Sequence, residues 1–392
     1  MRISYFNYHY DVAGAAIGCV RQIESITAGL TRLGHQVDLR FRNPKQPGTA
    51  KEYLGLKRVG WARRYGHGPK LLAQNFRLAA EELELLRAFR PDVLLAVSSY
   101  INCSALIAAR KLDLPFVLFI EAPMEYEYSL FFQEYYAYPL LGRWLEGLMV
   151  RGARQVICIS EVLKGYLMRY GVPAAKLHVI PNGVDQVAFC PKPPDPEIVD
   201  RFNLHARLVV GYVGSFEYFG DVPHWLGFIK ALCESHPDLI FLFVGEGRFG
   251  PDFRRRVADF GLQDHFVFPG SVPHAQVPRY LSAMDIVISP YREDYLFYGS
   301  SMKLLEYMAF GKPVLFPALG QIKEVVSDGY NGRLYEPGDH GAMRAKLSEL
   351  IADRDLRSYL GANARKTIEQ NWTWDLQTTR IAKVLHLAAE ER

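Results

Sequence analysis

The chain has 392 residues, 49% of them hydrophobic and 22% charged. These proportions exclude a disordered or fibrous protein and leave room for two or three domains with substantial cores. A formal net charge of +4 is too small to argue for nucleic acid, and five cysteines with no C-x-x-C and an odd total exclude a disulfide framework or a zinc site and fit a reducing cytoplasm.

The start, MRISYFNYHY, shows no apolar signal core. No stretch reaches the roughly 18 uncharged apolar residues of a membrane span. Arg2 to Phe6 reads as a strand, and a glycine-containing loop follows from Asp11 to Gly18. Ile17, Val20, Ile23, Ile26, Leu30 and Leu33 recur at helical spacing, Gly34 ends that helix, and Val37, Leu39 and Phe41 alternate as the next strand. Strand, glycine loop, helix, strand is a βαβ unit and implies a parallel sheet.

Between Arg40 and Arg77 stand ten Lys or Arg residues against the single acid Glu52. The stretch suits an anionic membrane or glycan, and equally a solvated surface loop. The alternation then continues: a helix near Leu71 to Phe89, strands at Val93 to Val97 and Phe116 to Ile120 around a helix at Ala105 to Lys111, a strand at Gln155 to Ile159, a helix at Glu161 to Tyr170, and a strand at Leu177 to Ile180. Between Phe189 and Pro196 lie four prolines, the best linker candidate.

After the linker the pattern restarts. Strands are expected at Leu208 to Val213, Ile240 to Val244, Phe266 to Phe268, Ile286 to Ser289 and Val314 to Phe316. Helices are expected at Pro223 to Ser235, Pro251 to Phe260, Ala275 to Met284, Ser301 to Phe310, Asp339 to Gln370 and from Trp374 onward. The fold class is α/β, two doubly wound Rossmann-like domains, whose natural active site is the cleft between them.

The chemistry concentrates in Tyr298-Gly-Ser-Ser-Met-Lys-Leu-Leu-Glu306. Ser300 or Ser301 can cap a helix whose first N–H groups and positive dipole end make an anion site. Lys303 in the first turn opposes the dipole, a penalty that a bound phosphate reverses, and Glu306 three residues on can accept from vicinal ribose hydroxyls. The segment reads equally as a nucleoside-diphosphate site or as a capped surface helix with an i,i+3 ion pair. Gly245 and Gly247 in Val244-Gly-Glu-Gly-Arg248, with Val272 in Pro269-Gly-Ser-Val-Pro273, form strand-end turns that let a backbone approach a flat base. Gly211-Tyr-Val-Gly-Ser215 is not G-x-G-x-x-G, so a dinucleotide fold has little support.

Five motifs in order resemble the family 4 glycosyltransferases of GT-B fold: Val179-Ile-Pro-Asn-Gly-Val-Asp185, Val244-Gly-Glu-Gly247, Met284-Asp-Ile-Val-Ile-Ser-Pro290, Lys303 to Val314, and Asp328-Gly-Tyr-Asn-Gly332. The resemblance implies a retaining, metal-independent hexosyltransferase with no cofactor beyond its nucleoside-diphosphate sugar donor. Its domains would be 1–187 on the acceptor side, 188–372 on the nucleotide-sugar side, and 373–392 as a helix packing back on the first. It implies that Glu306 holds the ribose, that Gly299, Ser300, Ser301, Met302 and Lys303 face the diphosphate, that Gly245, Gly247 and Val272 frame the base, and that Gly14 and Ala15 approach from the first domain. It also implies that Gly214, Ser215 and Tyr298 belong to the donor site, with Glu121, Lys303 and Glu306 as the catalytic candidates.

Three departures from the family pattern stand out. Tyr298 replaces the first acid of E-x7-E, Gly214-Ser-Phe-Glu-Tyr-Phe-Gly220 lacks the usual Arg/Lys pair, and Glu121 stands where a histidine is usual. Lys303 is a candidate to replace the missing charge. Glu121 reads as a stabiliser of an oxocarbenium-like state or as a strand-end acid. The segment Glu125 to Trp144 is rich in Tyr and Phe, which suits sugar stacking, a membrane interface or a core. None of the eleven histidines is assigned a role. The resulting expectation is a transferase acting on a glycan or lipid-linked acceptor, at the inner face of a membrane or in the cytoplasm. The alternatives are a sugar-nucleotide epimerase and a catalytically degenerate partner subunit.

Overall fold

The computed structural model describes residues 1–8, 17–42, 61–131, 137–216, 222–247, 249–289, 291 and 296–390. The chain forms two compact units. One comprises Met1–Asn182, Tyr298–Ser300 and Trp374–Arg392, the other Gly183–Phe297 and Ser301–Thr373. The change of unit after Asn182 compares with 187/188 read from the sequence.

The first unit holds a parallel sheet of order β2-β1-β3-β4-β5-β6. Its strands are β1 (Arg2–Asn7), β2 (Gln36–Phe41), β3 (Val93–Val97), β4 (Phe116–Ile120), β5 (Gln155–Cys158) and β6 (Leu177–Val179). Its helices are α1 (Ile17–Arg32), α2 (Trp61–Phe89), α3 (Ser104–Lys111), α4 (Met124–Phe131), α5 (Pro139–Gly152) and α6 (Glu161–Met168). β3 and β4 are buried at every residue, which is why both read as unbroken apolar runs: helices cover each face of a parallel sheet. A final helix, α15 (Trp374–Glu390), returns onto α1, where Arg32 meets Asp375 at 2.6 Å.

The second unit repeats the plan with order β12-β11-β10-β7-β8-β9, all parallel. After α7 (Pro196–Arg201) come β7 (Leu208–Val213), α8 (Val222–Ser235), β8 (Leu239–Val244), α9 (Gly250–Asp259), β9 (Phe266–Gly270), α10 (Val277–Ser282) and β10 (Ile286–Ile288). Then follow α11 (Met302–Ala309), β11 (Val314–Pro317), α12 (Ile322–Val325), β12 (Arg333–Tyr335), α13 (His340–Ala352) and α14 (Arg354–Asn371). Alternate residues of β8 feed separate cores. Leu242 packs with Leu305, Met308 and Ile368 on one face, while Phe241 and Phe243 pack with Trp225, Phe253 and Leu347 on the other. Each such side chain contributes about 1.5–3 kcal/mol of burial.

The expectations fail in places for local reasons. α2 starts ten residues before Leu71 and runs through Pro69, so part of the basic stretch is helix, not loop. Gly68 is buried against the Tyr138 ring, and that tertiary contact overrides the weak local propensity. The 275–284 segment is a short 3-10 turn followed by α10. β12, α7 and α12 are too short to leave a periodic signal. Cys103, Cys158, Cys190 and Cys233 are unbridged.

Candidate functional site

The second sheet reverses its order at β7: β8 and β9 extend one way from it, β10, β11 and β12 the other. Ligands of open α/β sheets sit beyond the carboxyl ends of strands at such a switch point. Two glycines prepare that end. Gly214 follows β7 at φ +153° and donates to Val244 O at 2.9 Å; Gly245 follows β8 at φ +138° and donates to Gly270 O at 2.9 Å. A Cβ on Gly245 would stand 1.9 Å from Gly214 O, and one on Gly214 would stand 2.8 Å from Lys303 Nζ. Side chains are therefore barred from the rim where β7, β8 and α11 meet.

α11 is fastened to this rim by its own side chains. Ser301, not Ser300, is the N-cap, accepting from Leu304 N at 3.3 Å. Tyr307 receives Val213 N at 2.6 Å and donates to Val213 O at 2.9 Å, closing the end of β7. One turn earlier on the same face, Lys303 donates to Tyr212 OH at 2.9 Å, and its ammonium lies 4.7 Å from the Tyr212 ring centroid and 5.1 Å from that of Tyr291. Tyr212 in turn donates to Ser215 O at 2.7 Å, which holds the loop after β7. Among the described residues Lys303 has no carboxylate partner, so the ion pair with Glu306 that would make this a plain surface helix is not formed. Burial lowers the Lys303 pKa, but the Tyr212 and Tyr291 oxygens outweigh it and hold the group above the ordinary lysine value.

Glu306 is buried and bonded instead to His274, Oε1 to Nε2 at 2.7 Å. His274 stands directly after Val272 and Pro273, on the turn leaving β9, so this contact brings the loop expected to frame a base to the candidate for holding a ribose. Sequence reading missed His274, Tyr212, Tyr291 and Tyr307. His274 and Tyr212 lie inside or beside glycine turns already marked, which was the available signal. The arrangement therefore groups Gly214, Ser215, Gly245, Lys303, Glu306 and, through His274, Val272. Tyr298 and Ser300 are engaged in the first unit: Tyr298 OH donates to Glu127, Tyr298 O accepts from Ser160 Oγ at 2.6 Å, and Ser300 Oγ accepts from Asn182 N at 3.0 Å. Gly14, Ala15 and residues 217–220 lie outside the described residues.

In the first unit the corresponding switch point lies between β1 and β3, and the described side chains beside it form a buried network. Tyr8 and Ser104 both bond Glu82 Oε1, at 2.8 and 2.9 Å, with Arg42 Nε at 3.9 Å. Burial pushes the Glu82 carboxyl up to about 7 against the lowering effect of its two donors, and pushes the Tyr8 hydroxyl well above its ordinary value. Glu121 is half-buried just after β4. A small cavity beyond β3 and β4 is lined by Ser98, Tyr100, Asn102, Ile120 and Glu146. Burial raises Glu146 to about 6, and it accepts from Tyr166, Tyr170 and Met124 N. Among the described residues no three His, Cys, Asp or Glu side chains converge as metal ligands.

Residues 196–367 match the family described as Glycosyl transferases group 1, and residues 17–188 match Glycosyltransferase Family 4. The chain belongs to the family 4 glycosyltransferases. Its GT-B fold is that of solved structures at low identity. One is Anabaena Alr3699/HepE in complex with UDP, with TM-score 0.72 and 19% identity over 99% of this chain and 100% of that one. Another is a glycosyltransferase from Rickettsia africae ESF-5, with TM-score 0.74 and 18% identity over 100% and 99%. Among curated relatives, a GDP-mannose-dependent alpha-(1-6)-phosphatidylinositol monomannoside mannosyltransferase of Mycolicibacterium smegmatis is 27% identical over 56% of this chain and 59% of its own length. The sulfoquinovosyl transferase SQD2 of Arabidopsis thaliana is 24% identical over 87% of this chain and 66% of its own length. The matches thus span less than two-thirds of either relative.

Within this family 4 chain, several motif residues hold backbone. Asp285 accepts from Val209 N at 2.8 Å, and Asn331 accepts from Ser327 N at 2.7 Å while donating to Val325 O at 3.0 Å. Asn182 donates to Ser300 O at 3.0 Å and accepts from Gln22 at 2.8 Å. Glu306 and Lys303 instead bond the side chains of His274 and Tyr212.

Proposed function

We propose that this chain transfers a sugar from a nucleoside diphosphate to a hydroxyl of a glycan or lipid-linked acceptor, with retention of anomeric configuration. The observation that carries the reading is Lys303. A cation with no carboxylate partner among the described residues, set between two phenols against a side-chain-free strand end, lies in the first turn of a helix whose capped start favours an anion. It stands beside Gly214, where the family's Arg/Lys pair is missing from the following loop, and supplies that charge.

The diphosphate would lie on the N–H groups at Ser301 to Lys303 and on the Lys303 ammonium, with the ribose on Glu306 and the base between the Gly245 to Gly247 turn and Val272. As the bond from the anomeric carbon to the diphosphate oxygen breaks, the leaving group gains charge that Lys303 and the helix start stabilise. The acceptor oxygen forms its bond on the face being vacated, and its proton passes to the departing phosphate. Glu121 would stabilise the oxocarbenium-like state or orient the acceptor hydroxyl. The GDP-mannose and UDP named for relatives support a nucleotide donor without choosing its base.

Thermal shifts with UDP-, GDP-, ADP- and dTDP-sugars test the reading, because a ligand of the native state raises the melting temperature. One nucleotide is expected to stabilise the chain, and Lys303→Met to weaken its titration by about 10- to 100-fold, the worth of a charged hydrogen bond. Wild-type affinity in Lys303→Met, or no shift with any donor, overturns the assignment.

A further inference from the structure

The first unit carries an apolar surface that its core does not use. Tyr65, Pro69, Leu72 and Phe76 fall at i, i+4, i+7 and i+11 of α2, on one stripe. Tyr65 is 40% exposed and Phe76 71%, at the border of the face that buries Leu71, Asn75 and Ala79, and the same stripe becomes buried further along the helix at Leu83. α5 behaves likewise. Its inner face, with Gly142, Leu145 and Met149, lines the cavity beyond β3 and β4, and its outer face holds Leu140, 81% exposed, and Trp144, 56% exposed, one turn apart. The two helices adjoin through Tyr138, the residue before α5. Tyr138 donates to Tyr65 O at 2.8 Å, and their rings meet edge-on at 6.5 Å.

Cations adjoin these apolar groups in the sequence. Exposed Lys70 lies beside Pro69, Arg77 beside Phe76 and Arg143 beside Trp144. The first five turns of α2, to Arg77, contain Arg63, Arg64, Lys70 and Arg77 and no acid; the next acid, Glu81, pairs with Arg77 at 3.0 Å. Large apolar side chains interleaved with cations, and a tryptophan among them, suit the boundary between acyl chains and anionic headgroups. A second copy of the chain suits it less, since a two-fold contact would press these cations against their equivalents. We infer that the outer faces of α2 and α5 form a docking surface for an anionic lipid membrane, in-plane rather than spanning; among the described residues no helix is long and apolar enough to cross one.

Cosedimentation with phosphatidylcholine vesicles containing about 30 mol% phosphatidylglycerol tests this, alongside vesicles of phosphatidylcholine alone. The full chain is expected to bind the anionic vesicles, to be released by high salt, and to bind the neutral vesicles much more weakly. Leu140→Ser/Trp144→Ser, at exposed positions, is expected to weaken binding about tenfold or more while leaving nucleotide titrations unchanged. Failure of the wild type to bind anionic vesicles, equal binding to both kinds, or unaltered binding by the double variant overturns the inference. So does a dimer, seen by sedimentation velocity, that the double variant dissolves. Loss of the donor reading would instead show as absent nucleotide titration in the wild type.

Discussion

The two sheets are both six-stranded and parallel but differ in order, with one strand (β2) beyond β1 and two (β8 and β9) beyond β7, and their switch points carry contrasting side chains. Beside β1 and β3, Tyr8, Glu82 and Ser104 form a buried network around a carboxyl with a pKa near 7. Beside β7, glycines keep side chains out, and a lysine with no carboxylate partner among the described residues stands at the edge. A buried acid fixed by two donors rigidifies; a cation held by phenols can take an anion. Topology locates a possible site, and side-chain chemistry decides which of the two switch points is one.

Restoring a side chain at the second switch point attacks the contrast most directly. In Gly245→Ala the new Cβ would meet Gly214 O, a backbone atom that cannot swing away, at a φ that L-residues avoid. Strain and overpacking together are expected to cost about 2–4 kcal/mol and to abolish nucleotide binding. A melting curve and a titration matching the wild type would show that the rim does not need to be bare.

At the first switch point the expected effect is smaller and depends on pH. The folded pKa of Glu82, about 7, lies above its ordinary 4.5. Its contribution is therefore fully favourable below pH 4.5 and is lost as pH rises to about 7, up to about 3 kcal/mol at pH 8. Glu82→Gln keeps an acceptor for Tyr8 without the charge. The variant is expected to match the wild type near pH 4.5 and to exceed it in denaturant stability at pH 8. A stability difference that does not change with pH refutes the buried-acid account.

The fold was legible because buried parallel strands such as Val93–Val97 and Leu239–Val244 are unbroken apolar runs bounded by turns. The site was half legible. Gly214, Gly245, Lys303 and Glu306 sit in recognisable local patterns, but which partner each side chain takes depends on residues tens of positions away. Tyr212 is 91 residues from Lys303, and His274 is 32 from Glu306. No periodicity encodes such pairings. The same limit explains Ser300 and Ser301, two equal caps in sequence that are separated only by Asn182, 118 residues from Ser300.

The smallest effect sharpens the role of His274. If its ring acts by orienting Glu306 toward a ribose, His274→Ala is expected to weaken nucleoside-diphosphate binding by about tenfold or less, the worth of one hydrogen bond. Glu306→Ala is expected to weaken it more, and the double variant no more than Glu306→Ala alone, because a positioning residue has nothing left to position. Additive losses would mean that His274 touches the nucleotide itself. An unchanged affinity in Glu306→Ala would instead remove the carboxylate from the donor site and leave Lys303 and the glycine rim to bind the diphosphate alone.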